Sequence, residues 1–567
     1  IESGLHSVAV LAESTALSTA DENLIVDRLL DRNQEAVLLA KTFATRGLDS
    51  NFARHLLRRA AQHATELGSG LSGRGGVSNI TSDDESDDYV DVAVVGGGLA
   101  GLTAAITIAD QGYSVALLEK QGLLGGNSAW ASSGVNGVDQ TKVPEDSIDS
   151  FKADIVASSK RPATDLVTIL AEGATDGLHF LRDRIRFNLS HVSQLGGHSH
   201  PRTHRPTEGL VGQQIILAMQ KMVKKMANGE NTSANNVRLL MKSRALRVKM
   251  TEEAGAERVS GIEYVSTAKG ASTTPQTLRC RAVLLATGGY ANDHSEDSLL
   301  SEFRPDLANL PTTNNKYTTG DGVKMARSVG AGLVDMPAVQ VHPTSFVDPE
   351  HPDKAQKTLC AEILRGVGGI LLHPDTGRRF VDELGTRDHI TGVMLEQRPT
   401  EPNYIILINS QSAQEADKHI ALYSSKGLLQ KFETLAGVSQ AFNISLTELE
   451  RTVQQYIIVG KSVGVKDEFG KQFFHNLAGW VNESLPTLYE GTLAISGPFY
   501  ACIVTPAAHY TMGGVEIDSS ARVVTLDEGK NAIAGLYAAG EIVGGIHGEN
   551  RLGGNALTEA LVFGRVA

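Results

Sequence analysis

Val90-Asp91-Val92-Ala93-Val94-Val95-Gly96-Gly97-Gly98-Leu99-Ala100-Gly101 is the stretch that decides the fold of this chain. Its first six residues are a short run rich in valine, which is typical of a buried parallel strand. Its glycines then lead into an apolar helix that we expect to continue through Ala109. A second strand, residues 114–118, ends at Glu119, so the pattern predicts a strand–helix–strand unit.

The glycines of this unit follow the spacing of a dinucleotide-binding turn. Gly96, Gly98 and Gly101 permit a tight turn, a close approach of backbone to pyrophosphate, and the packing of helix on strand. The free N–H groups at the start of the helix favour an anion. Glu119 follows about 20 residues later, where a carboxylate can accept hydrogen bonds from ribose hydroxyls. The glycines alone could form a structural turn, but with strand, helix and acid in place they predict a nucleotide site.

NAD and FAD share this fingerprint, so other glycine-rich strand ends must decide between them. Gly125-Gly126-Asn127-Ser128 follows the second strand, Ala286-Thr287-Gly288-Gly289 ends a later one, and Ala538-Ala539-Gly540-Glu541 ends another. Each of these could be an ordinary turn. Together they favour FAD, because an extended cofactor that crosses several strand ends needs a close backbone approach at each of them.

The chain is acidic, and its composition excludes several classes of function. It has 567 residues, a net charge of −13 and a pI near 5.7. A chain of this length is expected to form about three or four structural units. Without a basic block, it is a poor candidate for binding nucleic acid or an anionic membrane surface. Positive charge for a small anionic ligand must therefore be local to a pocket.

Cysteine use and hydropathy bear on the compartment. Cys280, Cys360 and Cys502 lie far apart, which fits an intracellular, reducing compartment such as the mitochondrion or the cytoplasm. No apolar run approaches the length of about 18 residues that a membrane helix needs, so we expect no membrane span. The chain starts at Ile1 rather than Met and stops at Ala567 within a predicted helix, so we expect it to be a trimmed piece of a longer protein.

Residues 1–88 differ in character from the rest. Apolar residues recur at near-helical spacing over residues 24–68, which predicts helices. A Gly/Ser stretch at residues 68–76 and an acidic run at residues 81–88 follow. We interpret them as a solvated linker, with a docking role as the alternative. We therefore place a domain boundary near residue 88.

From residue 89 onward the chain resembles the flavoproteins of the fumarate reductase and succinate dehydrogenase family, and most of all the soluble branch of flavocytochromes and of yeast and kinetoplastid fumarate reductases. Beside the FAD segments, the resemblance is carried by residues 341–344, 362–366, 379–388, 509–514 and 547–555. It implies an α/β fold of the glutathione-reductase-like type, an FAD-binding Rossmann domain with an inserted α+β capping domain. The FAD-binding domain would comprise residues 89–336 and 508–567, and the cap residues 337–507.

The resemblance also implies a proton donor. Arg387 matches the family's donor, and Glu362 and Arg365 match the relay that would reprotonate it. A guanidinium group normally stays protonated, so it can act as a donor only if a proton is returned at once. From the residues alone, Arg387 beside Asp388 could equally be a surface ion pair.

A dicarboxylate substrate must be held at both ends to be oriented. By resemblance, His342 holds one carboxylate of fumarate, and His509 and Arg551 hold the other. Where flavocytochromes have a substrate-contacting threonine, this chain has Ala361, so we expect Thr344 or a backbone N–H to replace that hydrogen bond. Taken singly, His342 could be a loop histidine, and Arg551 could pair with the glutamate two residues before it.

The expected FAD contacts come from segments far apart in the chain. They are Gly96, Gly98, Leu99, Ala100, Gly101, Glu119, Lys120, Gly126, Asn127, Ser128, Ser133, Gly134, Ala286, Thr287, Gly288, Asp321, Gly540, Glu541, Asn555, Ala556 and Leu557. Membrane-bound relatives attach FAD covalently through a histidine in the stretch that corresponds to residues 127–137. This chain has no histidine there, so we expect non-covalent FAD.

Three histidines in one loop could suggest a metal. His198, His200 and His204 have no nearby cysteine or carboxylate to complete a site, and their spacing matches no common zinc pattern. We interpret the segment as a loop near the flavin and expect no metal.

These features predict an FAD-dependent oxidoreductase that reduces fumarate to succinate. Two rivals within enzymes stay open, namely reduction of another activated alkene and a succinate-oxidising subunit. The rival from another class is a catalytically idle flavoprotein subunit of a larger assembly, which would have no physical need of the catalytic-type residues. The sequence has no haem or iron–sulfur ligand motif and no second dinucleotide motif. We therefore expect electrons from a partner protein, from a domain beyond either terminus, or from a reduced flavin.

Overall fold

The computed structural model describes residues 89–207, 209–229, 236–253, 255–462, 464, 466–481 and 493–567. The helices and linker predicted within residues 1–88 lie outside these ranges. The described residues belong to one compact unit. Among them, no helix is both long enough and apolar enough to cross a membrane.

Strands and helices alternate along most of the described chain. The strands are β1 Tyr89–Val95, β2 Val115–Glu119, β3 Val135–Asn136, β4 His191–Ser193, β5 Thr203–Arg205, β6 Val237–Met241, β7 Ser243–Glu253, β8 Ala256–Ser266, β9 Gln276–Leu285, β10 Leu333–Val334, β11 Val339–Phe346, β12 Thr358–Leu359, β13 Ile370–Leu372, β14 Tyr404–Ile408, β15 Gln430–Phe432, β16 Phe499–Thr511, β17 Gly514–Val515, β18 Arg522–Val524 and β19 Ala532–Ala538. The α-helices are α1 Leu99–Asp110, α2 Ile148–Ser159, α3 Asp165–His179, α4 Val211–Ala227, α5 Leu299–Phe303, α6 Asp321–Ser328, α7 Ile363–Gly366, α8 Arg387–Gln397, α9 Ser410–Glu415, α10 Asp417–Ser425, α11 Leu435–Phe442, α12 Leu446–Lys461 and α13 Asn555–Val566.

A large sheet with a parallel centre forms the first layer. Its strand order is β18-β19-β8-β9-β1-β2-β6, and β7 pairs with β8. β1 runs parallel to β2 and β9, and β19 runs parallel to β9. Helices α4 and α13 pack against α1, which follows β1 directly. The predicted strand–helix–strand unit and the Rossmann-type sheet are confirmed.

The strand bounds differ from the predicted ones for a physical reason. The sequence indicated only residues 282–286 of β9, whereas the strand begins at Gln276. Its first half alternates exposed and buried residues, and that half pairs antiparallel with β8. An apolar run marks a strand that is buried on both faces, so the half-exposed part gave no such signal.

An antiparallel sheet forms the centre of the predicted cap. Its strand order is β12-β11-β16-β14-β13, with β15 paired to β16. Two hydrophobic clusters of their own pack against it, apart from the large cluster of the first layer. The predicted α+β capping domain is therefore present. Its boundaries at residues 336/337 and 507/508 stay predictions, and β16 runs through the second of them.

The pairing of β11 with β16 contains an irregularity that matters for the site. Gln340 lies opposite Tyr510, and Val341 lies opposite Ala508, so His509 is an extra residue on β16. A bulge of this kind bends the strand and re-aims the side chains around it. Both strands thereby present polar residues at the junction of the two layers.

Candidate active site

A deep cleft runs along the carboxyl ends of β1, β2, β9 and β19. With its open mouth included, it holds about 1410 Å³ of space between protein atoms. The carboxyl ends of parallel strands are the usual ligand position in sheets of this type. The cleft is therefore the candidate cofactor site.

The glycines at the first strand end fulfil the geometric roles that the fingerprint assigns to them. Gly96 has φ of 110°, a backbone conformation that favours glycine, and a Cβ there would lie 2.3 Å from the Ala286 carbonyl oxygen. A Cβ at Gly101 would lie 1.9 Å from the Gly96 carbonyl oxygen, so this glycine lets α1 pack onto the turn. Gly101 itself does not line the cleft.

Other glycines leave room for a ligand. A Cβ at Gly288 would meet no protein atom within 4 Å, and one at Gly98 would meet none closer than 3.8 Å. Both residues line the cleft. Thr287 also lines the cleft, while its buried hydroxyl lies against Gly322. Open glycine backbone fits an extended nucleotide cofactor.

Glu119 is held at the end of β2 by two backbone donors. Gly97 N donates to Oε2 at 2.9 Å and Gln121 N donates to Oε1 at 2.8 Å. The next residue, Lys120, donates to Asp321 Oδ2 at 3.0 Å. The carboxylate is thus fixed at the cleft wall, where it can accept hydrogen bonds from ribose hydroxyls.

Most of the predicted FAD contacts share this cleft. Those that line it are Gly96, Gly98, Leu99, Ala100, Glu119, Lys120, Gly126, Asn127, Ser128, Ser133, Gly134, Ala286, Thr287, Gly288, Gly540, Glu541, Ala556 and Leu557. Gly101, Asp321 and Asn555 do not. Asp321 holds Lys120, and Asn555 is buried against Asn136 at 2.6 Å. These two support the cleft wall from behind.

The opposite end of the cleft carries the predicted catalytic residues. Arg387, His509 and Arg551 all line it. Arg387 is the first residue of α8 and is buried. It donates from Nε and Nη2 to Glu362 Oε2 at 3.0 and 2.5 Å, and from Nη1 to Gln340 Oε1 at 2.9 Å. The predicted contact between Arg387 and Glu362 is therefore present, and the alternative of an Arg387–Asp388 pair is not. Asp388 binds Lys160 instead, at 2.5 Å.

The charges around Glu362 keep it ionised. Burial alone would raise its pKa, but Arg387 and Arg365 outweigh burial and hold the pKa at about 2. The carboxylate therefore stays negative as long as the arginine beside it is positive.

Arg365 occupies the predicted relay region, but with a different partner. It is almost fully buried, and its Nη1 donates to the Glu383 carbonyl oxygen at 2.6 Å. Its Nε and Nη2 have no hydrogen-bond partner among the described residues. Burial and the charge of Arg387 lower its pKa. Arg365 thus acts on Glu362 through its charge rather than through a hydrogen bond.

His342 and His509 are in edge-to-face contact, with ring centroids 5.2 Å apart, and His509 lines the cleft whereas His342 lies behind it. His342 Nδ1 lies 2.8 Å from the Thr344 carbonyl oxygen and 3.2 Å from the Thr344 backbone nitrogen, and its Nε2 has no partner among the described residues. His509 Nδ1 lies 2.7 Å from Thr313 Oγ1. Each ring is thus held by one nitrogen, and at His342 the other is free for a ligand.

Both histidines are neutral in this environment. Burial and the charges of Arg387 and Arg365 hold the pKa of His342 well below its usual value. Burial, the neighbouring His342 and the charge of Arg387 do the same for His509. A bound anion would offset those charges and raise both pKa values.

Arg551 is held without a carboxylate. Its Nη1 donates to the Leu552 carbonyl oxygen at 3.0 Å, and its Nη2 to Gln340 Oε1 at 3.3 Å. Its guanidinium carbon lies 4.1 Å from the centroid of the Tyr510 ring. Burial and the charge of Arg387 lower its pKa to about 10. The alternative that Arg551 pairs with Glu549 does not hold, because Glu549 is exposed and lies outside this set of contacts.

Thr344 is less available to substrate than the sequence predicted. It is fully buried, and its hydroxyl donates to the Cys360 carbonyl oxygen at 3.2 Å. Its own carbonyl oxygen orients His342. Thr344 therefore supports a substrate-holding residue, and a backbone N–H remains as the predicted replacement for the missing threonine at Ala361.

The segment around Arg379 and the histidine loop have structural contacts. Arg379 and Lys471 both pair with the buried Glu383, at 2.7 and 3.1 Å. In the loop, His198 Nε2 bonds to the Gly553 carbonyl oxygen at 3.1 Å and His204 Nε2 to the Gly137 carbonyl oxygen at 3.0 Å. Backbone partners of this kind hold the loop against the site.

Sequence reasoning missed three residues of the site. Gln340 accepts from both Arg387 and Arg551. It lies two residues before His342, a spacing that puts both side chains on one face of a strand, and this is the signal that could have found it. Tyr510 is the neighbour of His509. Glu559 is a single acid within the apolar run of α13, which is itself a signal, because a buried carboxylate needs partners.

Known proteins resemble this arrangement in both sequence and structure. The chain matches a family described as FAD binding domain over residues 91–557. It is 39% identical over 480 residues to the fumarate reductase of Schizosaccharomyces pombe, covering 84% of this chain and 88% of that one. It is 36% identical over 493 residues to fumarate reductase 1 of Saccharomyces cerevisiae, covering 84% and 97%. The open conformation of a flavocytochrome c3 fumarate reductase superposes with a TM-score of 0.65 at 31% identity, covering 84% and 77%.

Proposed function

This chain belongs to the FAD-dependent fumarate reductase family of oxidoreductases, and we propose that it reduces fumarate to succinate. The observation that carries the proposal is the convergence of Arg387, His509 and Arg551 on one end of the cofactor cleft. Two guanidinium groups and an imidazole at that point suit a small dianion next to the cofactor.

The cofactor is FAD, and we propose that it is bound without a covalent link. When bound, FAD supplies the hydride from N5 of its reduced ring. The residues that would hold it are the open glycine turns and Glu119 at one end of the cleft, and Glu541, Ala556 and Leu557 towards the other. Residues 127–137 offer no histidine for a covalent bond.

Three side chains would hold the two carboxylates of fumarate. In Arg551, Nε has no hydrogen-bond partner among the described residues, and Nη1 and Nη2 each keep one hydrogen that is not engaged. Arg551 can therefore bind a carboxylate with two hydrogen bonds. His509 lies beside it, and His342 faces His509 from the other strand. In the tautomer in which His342 Nδ1 donates to the Thr344 carbonyl oxygen, Nε2 must take up a proton to hold a carboxylate. The incoming dianion makes that uptake favourable by offsetting the arginine charges.

Arg387 is the proposed proton donor. Glu362 and Gln340 engage three of its N–H groups, which leaves one hydrogen on each terminal nitrogen for the substrate. Once Arg387 gives up a proton, the main charge that depresses the pKa of Glu362 is gone. Glu362 then becomes a stronger base at that moment and can carry the next proton to Arg387. The low resting pKa of Glu362 and its role in a relay are therefore compatible.

The capping layer contributes Arg387, Glu362 and His342, while Arg551 comes from the FAD-binding layer. We propose that movement of the cap over a bound substrate excludes water and brings Arg387 to the alkene. The electron donor to FAD is a partner protein, a domain beyond the termini, or a reduced flavin.

Anaerobic reoxidation of the reduced protein separates this function from its rivals. Fumarate should reoxidise it far faster than crotonate, which has one carboxylate, or urocanate, which carries an imidazole ring in place of the second one. Arg522→Met, an exposed arginine away from the cleft, serves as a matched control and should behave as wild type. Faster reoxidation by urocanate would identify another alkene as the substrate, and no reoxidation by any of the three would favour an idle subunit.

A further inference from the structure

A buried carboxylate lies at the hydroxyl end of Tyr510. The Tyr510 hydroxyl donates to Glu559 Oε2 at 2.5 Å, and His547 Nε2 lies 2.6 Å from the same oxygen. Glu559 has no exposed surface, and Tyr510 and His547 are buried around it. An ionised carboxylate is unfavourable in such a place unless it has donors and a nearby positive charge. The positive charge nearest to this group on the cleft side is Arg551, which lies on the Tyr510 ring.

The positive charges of the two arginines of the site are balanced in different ways. Arg387 is bonded directly to Glu362. Arg551 forms no salt bridge to any described carboxylate; it donates to two neutral oxygens, and its guanidinium lies on the face of the Tyr510 ring. A direct carboxylate partner would occupy the N–H groups that must hold the substrate. A ring attracts a guanidinium through its face, so the N–H groups in the guanidinium plane stay free.

We propose that Tyr510 and Glu559 are positioning residues for Arg551, an inference that rests on the proposed function. Glu559 anchors the Tyr510 hydroxyl, the ring fixes the plane of the guanidinium, and the carboxylate, together with Glu541, balances its charge at a distance. His547 holds Glu559 in place from the other side. Burial and the charge of Glu559 raise the pKa of Tyr510 well above its usual value, so the hydroxyl remains a donor.

A double-mutant cycle between Tyr510 and Arg551 tests this coupling. In FAD-loaded protein, Tyr510→Leu should raise the KM for fumarate and the Kd for succinate by at least about tenfold, with a smaller change in kcat. A desolvated cation–π contact is worth enough for such an effect. In an Arg551→Ala background, Tyr510→Leu should add little further loss. Losses that multiply in the double variant would overturn the proposal, because Tyr510 would then act independently of Arg551.

A second, milder pair of variants keeps the test decisive if Tyr510→Leu loses FAD. Tyr510→Phe retains the ring and loses only its anchor, so the Kd for succinate should rise by about threefold. Glu559→Gln combined with Tyr510→Phe should be no worse than the more affected single variant. Tyr404→Phe, which removes another buried donating hydroxyl in the cap, is the control and should leave the Kd unchanged. The anchoring role of Glu559 would be refuted if Tyr510→Phe and wild type had equal Kd values for succinate and the effects of Tyr510→Phe and Glu559→Gln were additive.

Succinate binding by wild type, followed through the flavin absorbance, distinguishes the two levels of failure. If wild type neither binds succinate nor is reoxidised by fumarate, the proposed function fails and this inference fails with it. If wild type does both and the cycle is additive, only the role of Tyr510 and Glu559 fails.

Discussion

Arg387 and Arg551 are both buried, but they have different partners. The difference follows from the role that is proposed for each of them. A proton donor must be reprotonated, so it gains from the carboxylate of Glu362 within hydrogen-bond distance. A residue that holds substrate must keep its donors free, so it gains from a neighbour such as the Tyr510 ring. Gln340 accepts from both arginines and sets the distance between them.

The sharpest prediction at the scale of a residue concerns Arg387. Arg387→Lys should keep FAD bound and let it be reduced normally, yet slow fumarate reduction by orders of magnitude. Lysine keeps the charge but loses the planar fork that joins Glu362 and Gln340. General acid catalysis is typically worth about 10²–10⁴ in rate, so a larger loss would mean that orientation fails as well. Stopped-flow reoxidation by fumarate measures the rate.

Glu362→Gln provides the companion variant. It should also be slow, because it interrupts reprotonation while leaving His342, His509 and Arg551 in place. Lys160→Met, which removes the partner of Asp388 at the other side of the helix start, should have little effect. Nearly full activity of Arg387→Lys would show that the proton comes from elsewhere, with His509 or a pocket water as the next candidates.

At the scale of elements, the site depends on a strand pair and a helix start. β11 carries Gln340 and His342, β16 carries His509 and Tyr510, and α8 begins at Arg387 and packs on β11. The sequence predicted His342, His509 and Arg387, because each lies in a short motif, but it missed Gln340 and Tyr510. It could not predict the bulge that makes His509 an extra residue. A bulge depends on which residues of two distant strands pair, and neither strand encodes that alone.

The cap has an internal charge cluster, part of which lies in the segment at residues 379–388 that carries the family resemblance. Glu383 is fully buried and pairs with Arg379 and Lys471. Glu383→Gln would remove the carboxylate that both buried cations share, leaving Arg379 with Asp467 and Lys471 with Asp382. Breaking a buried pair completely costs about 3–5 kcal/mol, which is the upper bound here. We therefore expect a clearly lower midpoint of urea unfolding for this variant at neutral pH. The fluorescence of Trp480, which is buried in the cap, reports the unfolding. Glu448→Gln, which breaks the exposed pair with Arg378, is the control and should change the midpoint little.

The same variant has a defined pH dependence. Burial raises the pKa of Glu383, but Lys471 and Arg379 outweigh it and hold the pKa at about 2. This pKa is below the value of about 4.3 for an unfolded chain. The ionised carboxylate therefore stabilises the fold fully above a pH of about 4.3, and this stabilisation is lost as the pH falls towards 2. The difference between wild type and Glu383→Gln should therefore shrink in acid. A difference that stays constant down to low pH would contradict this assignment of the charge cluster.

At the scale of the whole molecule, the sequence was sufficient for the first layer and for the presence of a cap. Gly96, Gly98 and Gly101 encode their own turn, since their spacing is local; Gly96 and Gly101 avoid close backbone contacts, and Gly98 leaves the cleft open. The contacts that complete the site come from pairs far apart in sequence, such as Tyr510 with Glu559 and Gln340 with Arg551. Such pairs leave no local pattern, so only the folded chain brings them together.

The mode of FAD attachment is a property of the whole cleft. We expect acid precipitation to release yellow flavin into the supernatant, because the cleft segment at residues 127–137 has no histidine to form a covalent bond. Absorbance of the supernatant and of the washed pellet measures the partition. An engineered histidine at Ser128, which lines the cleft, tests whether position alone permits attachment. Flavin that stays with the wild-type pellet would refute non-covalent binding.

We propose that electrons held by this protein go to fumarate at the site formed by Arg387, His342, His509 and Arg551. A single-turnover experiment tests this transfer. The FAD-loaded protein is reduced without excess reductant, mixed anaerobically with fumarate, and the succinate formed is quantified against the flavin oxidised. We expect one succinate for each flavin, formed as fast as the flavin is reoxidised in wild type and far more slowly in Arg387→Lys. Flavin reoxidation without succinate, or succinate formed at the same rate in both proteins, would contradict the account.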